Sequence, residues 1–356
     1  MVKRMIFLAA CLPILASLVF FLRVGALVPG EVNLDGKRMQ YCFDVATDQE
    51  GKRLFVAAGY AGLHIFRLHQ GHLNYVSTSY DGGYYRNLKI WNDRAYVADS
   101  ERGLVVLDIR GEMPVTTWVQ SSDGAGGVDI KEGKAYVAGY ERGLEIFDLS
   151  NPDSPSLLSI LRTPGCAWDV WANAGYAYIA DMNEGLTIVD VSTPSSPRQV
   201  TVVTWTSRYQ NAEIVRGEGG VVYVAAADHG LITIDVSNPA NPVLASRYRP
   251  FRLGAAEGLA VRDGIVYLAM GSNLEWKVQG EAVWEIFTRE NGLHIVDARD
   301  PYSLSLAGKC SFLGWVEGVH VAGSSAYVAN AFNGVRSCDI RDPEHPVLAD
   351  TFSVLP

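Results

Sequence analysis

Apolar and polar positions in this chain come in short runs of five to seven residues, broken by clusters of Gly, Pro, Asn and Asp. That is the punctuation of half-buried strands joined by tight turns. Residues 163–205 show the unit. Trp168 to Ala172 predicts a first strand and Tyr176 to Ala180 a second. A turn over Met182 to Gly185 leads to a third strand, Leu186 to Val191, in which Leu186, Ile188 and Asp190 alternate. Ser192 to Pro197 is a turn cluster, and Arg198 to Trp205 predicts a fourth strand. No ten-residue segment of the repeated region carries a helical period.

The unit recurs. Leu54-Phe55-Val56-Ala57 precedes Gly62, Ala95-Tyr96-Val97-Ala98 precedes Gly103, and Ala135-Tyr136-Val137-Ala138 precedes Gly143. The same order holds for Tyr178 before Gly185, Tyr223 before Gly230, Tyr267 before Gly292 and Tyr327 before Gly334. Successive glycines are 41, 40, 42, 45, 62 and 42 residues apart, and the long gap holds an insertion, residues 271–290. A period near 42, rich in Val, Ile, Tyr and Gly, means one four-stranded blade per copy. The expected fold is all-β: a seven-bladed β-propeller over 39–356. Its blades fall at about 39–80, 81–120, 121–162, 163–205, 206–250, 251–312 and 313–356.

Phrases such as Leu186-Thr187-Ile188-Val189-Asp190 and Leu293-His294-Ile295-Val296-Asp297 resemble the LVIVD repeat family of bacterial and archaeal secreted or surface proteins. The resemblance covers about residues 39 to 354 and implies a propeller without implying a common activity. The terminal copies depart from the pattern: Arg67 stands where Asp is expected, and Arg336 and Ser337 replace apolar residues. Relaxed patterning is normal in terminal repeats.

Ahead of the repeats, residues 5–22 run without a charge behind Lys3 and Arg4. Residues 1–26 therefore read as a cleaved signal peptide or as an uncleaved N-terminal anchor, with 27–38 as a linker. The excess of Lys3 and Arg4 over Arg23 places the rest of the chain outside the cytoplasm in either case. Membrane contact is expected only through this segment. Without residues 1–26 the net charge goes from −9 to −12, so a nucleic-acid partner has no basic footprint to grip.

The Asp closing most third strands reads as turn chemistry rather than metal ligation, as in Asp148-Leu149-Ser150-Asn151-Pro152. The repeated Tyr of the second strands reads as packing between blades. The spacing of His and Cys matches no zinc site, and no nucleophile elbow or phosphate loop is present, so no cofactor, metal or catalytic residue is assigned. Cys310 and Cys338 fall in consecutive copies and could bridge in an oxidising compartment.

First strands line a propeller's central channel, and their leading loops share a face with the loops joining second to third strands. Non-repeating residues on that face are the ligand candidates: Asp44, Arg86, Asn87, Trp168, Asp169, Glu213, Glu257, Trp315 and Glu317. Aromatic and polar groups converging in a concavity suit a small molecule or peptide. The expected role is a binding module for a protein, peptide or glycan partner. The alternative is a propeller enzyme of lyase, hydrolase or lactonase type, using Asp44, Asp169, Glu213, Glu257 or Glu317 around a divalent ion. The insertion adds Trp276 and Trp284 to the candidates. Its aromatic content predicts a cover or contact arm over the channel face rather than a flexible excursion.

Overall fold

The computed structural model describes residues 41–353 apart from 121, 207–208, 251–253, 273–276, 280–281 and 285–290. The readings of 1–26 and 27–38 lie outside them. Seven antiparallel four-stranded sheets follow one another, spanning 44–79, 85–119, 127–161, 169–203, 214–248, 254–311 and 319–352. The chain is a seven-bladed β-propeller, and no described residue is helical. In the fourth blade the strands are Asp169–Asn173, Tyr176–Ala180, Leu186–Asp190 and Arg198–Val203, within two residues of the sequence expectation.

Each second strand is buried because it lies in the middle of its blade, with blades packed on both faces. Among the described residues the apolar core divides into seven clusters, each shared by two neighbouring blades. The repeated Tyr is a regular member. Tyr136 packs against Val170 and Ala172 of the next blade, and Tyr267 against Val319 and Ala326. Blade-to-blade burial, rather than any central core, holds the ring.

Both terminal blades are built from four consecutive strands, so no strand is exchanged where the ring closes. Side chains make most of that seam, beside one backbone bond from the Cys42 N–H to the Ala331 carbonyl at 3.1 Å. Cys42, Val45, Leu54 and Phe66 of the first blade share a cluster with Tyr327, Ala329 and Val335 of the last. The Asp350 carboxylate accepts the Leu73 N–H at 2.8 Å, and Phe352 stacks on Tyr75. A disulfide ties Cys310 in the sixth blade to Cys338 in the seventh.

The repeated glycine has a steric cause. At Gly185 φ is +97°, and a Cβ there would overlap the Val203 carbonyl oxygen of the fourth strand. Gly143 has the same relation to Leu161. Gly185→Ala should lower unfolding free energy by about 1–3 kcal/mol. A denaturant midpoint that does not move would refute this. The third-strand Asp residues serve turns: Asp148 and Asp190 accept bonds from Ser150 and Ser192.

Candidate functional site

The sequence Phe43-Asp44, Arg86-Asn87, Gly126-Gly127, Trp168-Asp169, Glu213-Ile214, Glu257-Gly258 and Glu317-Gly318 occupies equivalent places at the starts of the seven first strands. Phe43, Gly126, Trp168, Glu213 and Glu317 each donate an N–H to the carbonyl of the Ala ending the second strand. Arg86 and Glu257 sit at the same point as bulged residues, the ladder shifting register between Tyr85 and Asn87 and between Ala256 and Gly258. A bulge re-aims one side chain out of the strand's alternation. It turns this row into an upper ring facing the channel.

The next residues form the floor of the site. The Asp44 carboxylate accepts the Asn87 Nδ2–H at 2.7 Å and the Leu88 N–H at 3.2 Å. Asn87 Oδ1 accepts the Val128 N–H at 3.0 Å. The third blade has Gly127 at that position, and Asp129, two residues on, takes over by accepting the Ala172 N–H at 2.9 Å. Asp169 accepts the Val215 N–H at 3.0 Å and the Arg216 guanidinium at 2.5 Å. Four successive blade junctions are therefore stitched by one side chain each. Lys89 approaches Asp129 at 3.7 Å, and His320 bonds Thr47 at 3.0 Å across the closing seam. Asp44, Asn87 and Asp169 thus each commit one side-chain oxygen to the following blade, while the second carboxylate oxygen of Asp169, Oδ1, is buried without a partner among the described residues. Sequence reasoning missed Arg216, Asp129 and Lys89. Each stands three residues after an upper-ring position, and that offset was the available signal.

Above the floor lies a cavity lined by Phe43, Arg86, Trp168, Glu213, Glu257 and Glu317, with Asp44, Asn87 and Arg216 at its base. It offers about 30 Å³ to the centres of water molecules, enough for about two waters or a small head group. Around its mouth Phe332, Tyr41, Phe43, Tyr84 and Tyr60 form a continuous chain of ring contacts, with centroids 4.5 to 5.4 Å apart. Tyr41 donates a hydrogen bond to Glu317, which also bonds Trp315. Phe43, absent from the sequence candidates, is part of this wall.

The Arg86 guanidinium lies 4.1 Å from the Trp168 ring centroid and 5.2 Å from that of Phe43. Glu213 and Glu257 share a hydrogen bond, so one carboxyl of the pair holds a proton. Burial pushes both upward, Glu257 furthest because Glu213 and Glu317 add repulsion. Burial also raises Glu317 from 4.5 to about 7, against the pull of Arg86 and Tyr41, and Asp44 from 3.8 to about 6. Among the described residues no group of three His, Cys, Asp or Glu could hold a metal ion.

These carboxyls keep their protons longer in the folded protein than in the unfolded chain. Stability from them is complete below the unfolded value near 4.5 and falls as pH rises towards 7. Residues with lowered values, such as Asp108 at about 2, finish titrating below that window. The buried imidazoles His64 and His320, held down at about 4, work the other way up to their unfolded value near 6.5. The thermal midpoint should therefore fall between about pH 6.5 and pH 8, with Glu317 accounting for about 2 kcal/mol of the carboxyl contribution after allowance for its partial solvent access. Glu317→Gln should flatten the profile. A midpoint that rises across this window would contradict the assignment.

Of the insertion, Lys277–Gln279 and Ala282–Trp284 form a two-stranded hairpin between the second and third strands of the sixth blade. Trp276 and the rest of the proposed cover over 273–290 lie outside the described residues, and Trp284 is placed only as the end of its strand.

The LVIVD repeat model matches residues 82–110, 124–163, 164–204, 211–249 and 313–354, just over half of the chain. The unmatched copies are the first, which lacks the closing Asp, and the sixth, which the insertion splits. No curated protein matches the sequence. Among solved structures, the WD40 β-propeller domain of Doa1 is similar with a TM-score of 0.64 at 10% identity, over 84% of this chain and 92% of that one. The β-propeller domain of Cps50 (Swd1) from Myceliophteria thermophila gives 0.61 at 13%, over 81% and 93%. The computationally designed Ika8 protein gives 0.58 at 9%, over 84% and 96%. At these identities the likeness is one of fold.

Proposed function

The chain belongs to the LVIVD repeat family, and from that premise we propose that it is an extracytoplasmic binding module whose channel face takes a protein, peptide or glycan partner. The observation that carries this reading is the upper ring: Arg86, Glu213, Glu257 and Glu317 in a small cavity under a wall of aromatic rings. Flat aromatic faces beside fixed hydrogen-bonding groups suit peptide side chains and sugar rings alike. The Cys310–Cys338 bridge supports an oxidising compartment, in keeping with export by residues 1–26.

Arrays of short peptides and of glycans probed with the purified protein should show saturable binding. Trp315→Ala and Glu257→Gln should each weaken it about ten-fold. Binding that neither change touches would place the partner elsewhere and end this reading.

A second reading, a propeller enzyme of lyase, hydrolase or lactonase type, draws on the Glu213–Glu257 pair, since a shared proton can serve general acid and base roles. Turnover of a lactone or ester panel that Glu257→Gln abolishes would favour it. No turnover across the panel would leave the binding module.

A further inference from the structure

Arg86 is unusual among the arginines of this protein. A cleft between the first two blades is lined by Arg53 and Arg67, and both are paired, Arg53 with Asp48 and Arg67 with Glu112. Arg86 is enclosed between two aromatic faces in the neck of the channel, and it makes no hydrogen bond or ion pair with any described residue. A guanidinium has five N–H donors in a rigid fork, and leaving them without acceptors in a confined site is costly. The aromatic faces hold its plane in place without satisfying those donors.

Ring order decides what faces it. Arg86 belongs to the second blade, and Glu213, Glu257 and Glu317 belong to the fifth, sixth and seventh. In a closed ring of seven, the second blade lies opposite the fifth and sixth. The neck is therefore polarised across its width: an open cationic fork on one side and carboxyl groups on the other, close enough to feel each other's charge yet unpaired. The floor below spends its side chains on bonds between blades, so the partners open to a ligand are the groups above it, on the side of the aromatic mouth.

We propose that the neck binds the head group of an α-amino acid, free or attached through its side chain to a peptide or glycan, with its carboxylate on Arg86 and its ammonium on Glu213, Glu257 and Glu317. The proposal rests on the channel-face binding reading and names the chemistry it recognises. A carboxylate accepts two parallel bonds from a guanidinium fork. An ammonium supplies three donors where the Glu213–Glu257 pair otherwise needs a proton, so binding expels that proton to solvent. The cavity admits a head group of a few heavy atoms, and the remainder of the ligand leaves past Tyr41 and Tyr84.

Calorimetry on the purified full-length protein tests this with glycine, acetate and methylamine as probes. Glycine should bind about 10- to 100-fold more tightly than either half-ligand. Its binding heat should vary with the ionisation heat of the buffer, reporting proton release. Arg86→Met should abolish glycine binding, and Arg86→Lys, which keeps the charge and loses the fork, should restore part of it. Glycine binding no tighter than acetate or methylamine, or no binding up to about 50 mM, overturns the proposal. If array binding to a peptide or glycan survives Arg86→Met while glycine fails to bind, the channel-face module stands and the zwitterion site falls. If array binding is also indifferent to Trp315→Ala and Glu257→Gln, both fall.

Discussion

Asp169→Ala should lower the unfolding free energy by about 3–5 kcal/mol, the usual cost of leaving one partner of a buried ion pair alone. Asp169 is fully buried, and the Arg216 side chain it accepts is 16% exposed. The substitution removes the acceptor of the Val215 N–H as well, so a stitch between the fourth and fifth blades is lost together with the charge partner. Arg216 would keep its bond to the Val215 carbonyl and the field of Asp44, which does not replace a carboxylate in contact. Asp169→Asn should cost less, since an amide oxygen still accepts the Val215 N–H. Adding Arg216→Met to Asp169→Ala should recover part of the loss by removing the stranded charge. Denaturant unfolding of the four proteins measures this. A loss under about 1 kcal/mol, or a double variant no better than the single, would show that the floor of the channel is not held as described.

Breaking the Cys310–Cys338 bridge should cost about 3–4 kcal/mol, from the chain entropy released in a loop with a sequence separation of 28. The position of the bridge makes the effect local to one part of the ring. The seventh blade closes against the first through side chains and one backbone bond, from the Cys42 N–H to the Ala331 carbonyl, with Phe66, Phe352, Asp350 and Leu73 at the outer seam. The disulfide holds that last blade to the sixth. Cys310→Ser should therefore lower the thermal midpoint by about 5–10 °C and render the protein insensitive to reductant. In the unreduced, denatured protein Cys42 and Cys166 should react with a thiol reagent while Cys310 and Cys338 should not. Burial holds the Cys42 thiol up at about 12, so in the native state it should stay unreactive. An intact protein whose melting is unchanged by reductant would argue against the clasp.

The repeated elements were legible residue by residue. Gly185 announces its turn because only glycine tolerates that φ beside the Val203 carbonyl, and the fourth strand that supplies the carbonyl is written into the same copy. Tyr136 and Tyr267 announce the packing between blades, because a large ring in a central strand has nowhere to go but the neighbouring sheet. Glu213, Glu257, Glu317, Arg86 and Trp168 could be found as departures from the repeat at a fixed offset. Their meaning could not. Asp44 and Asp169 looked like the glutamates in sequence and turned out to bind backbone N–H groups of the following blades.

The local sequence alone determined what a 42-residue copy must become, since strand alternation, turn residues and a glycine of positive φ act within one blade. It also determined that seven such blades follow one another, because the copies can be counted. Only the tertiary structure decided which channel residues are linked and which stand open. Neighbours in the channel come from copies about 42 residues apart, and one residue's shift along a first strand exchanges a stitch for a site. Asp129 standing in for the missing side chain at Gly127, and Arg86 facing glutamates three blades away in either direction, are consequences of closing the ring. Side chains meet across the axis only when the last blade has packed against the first.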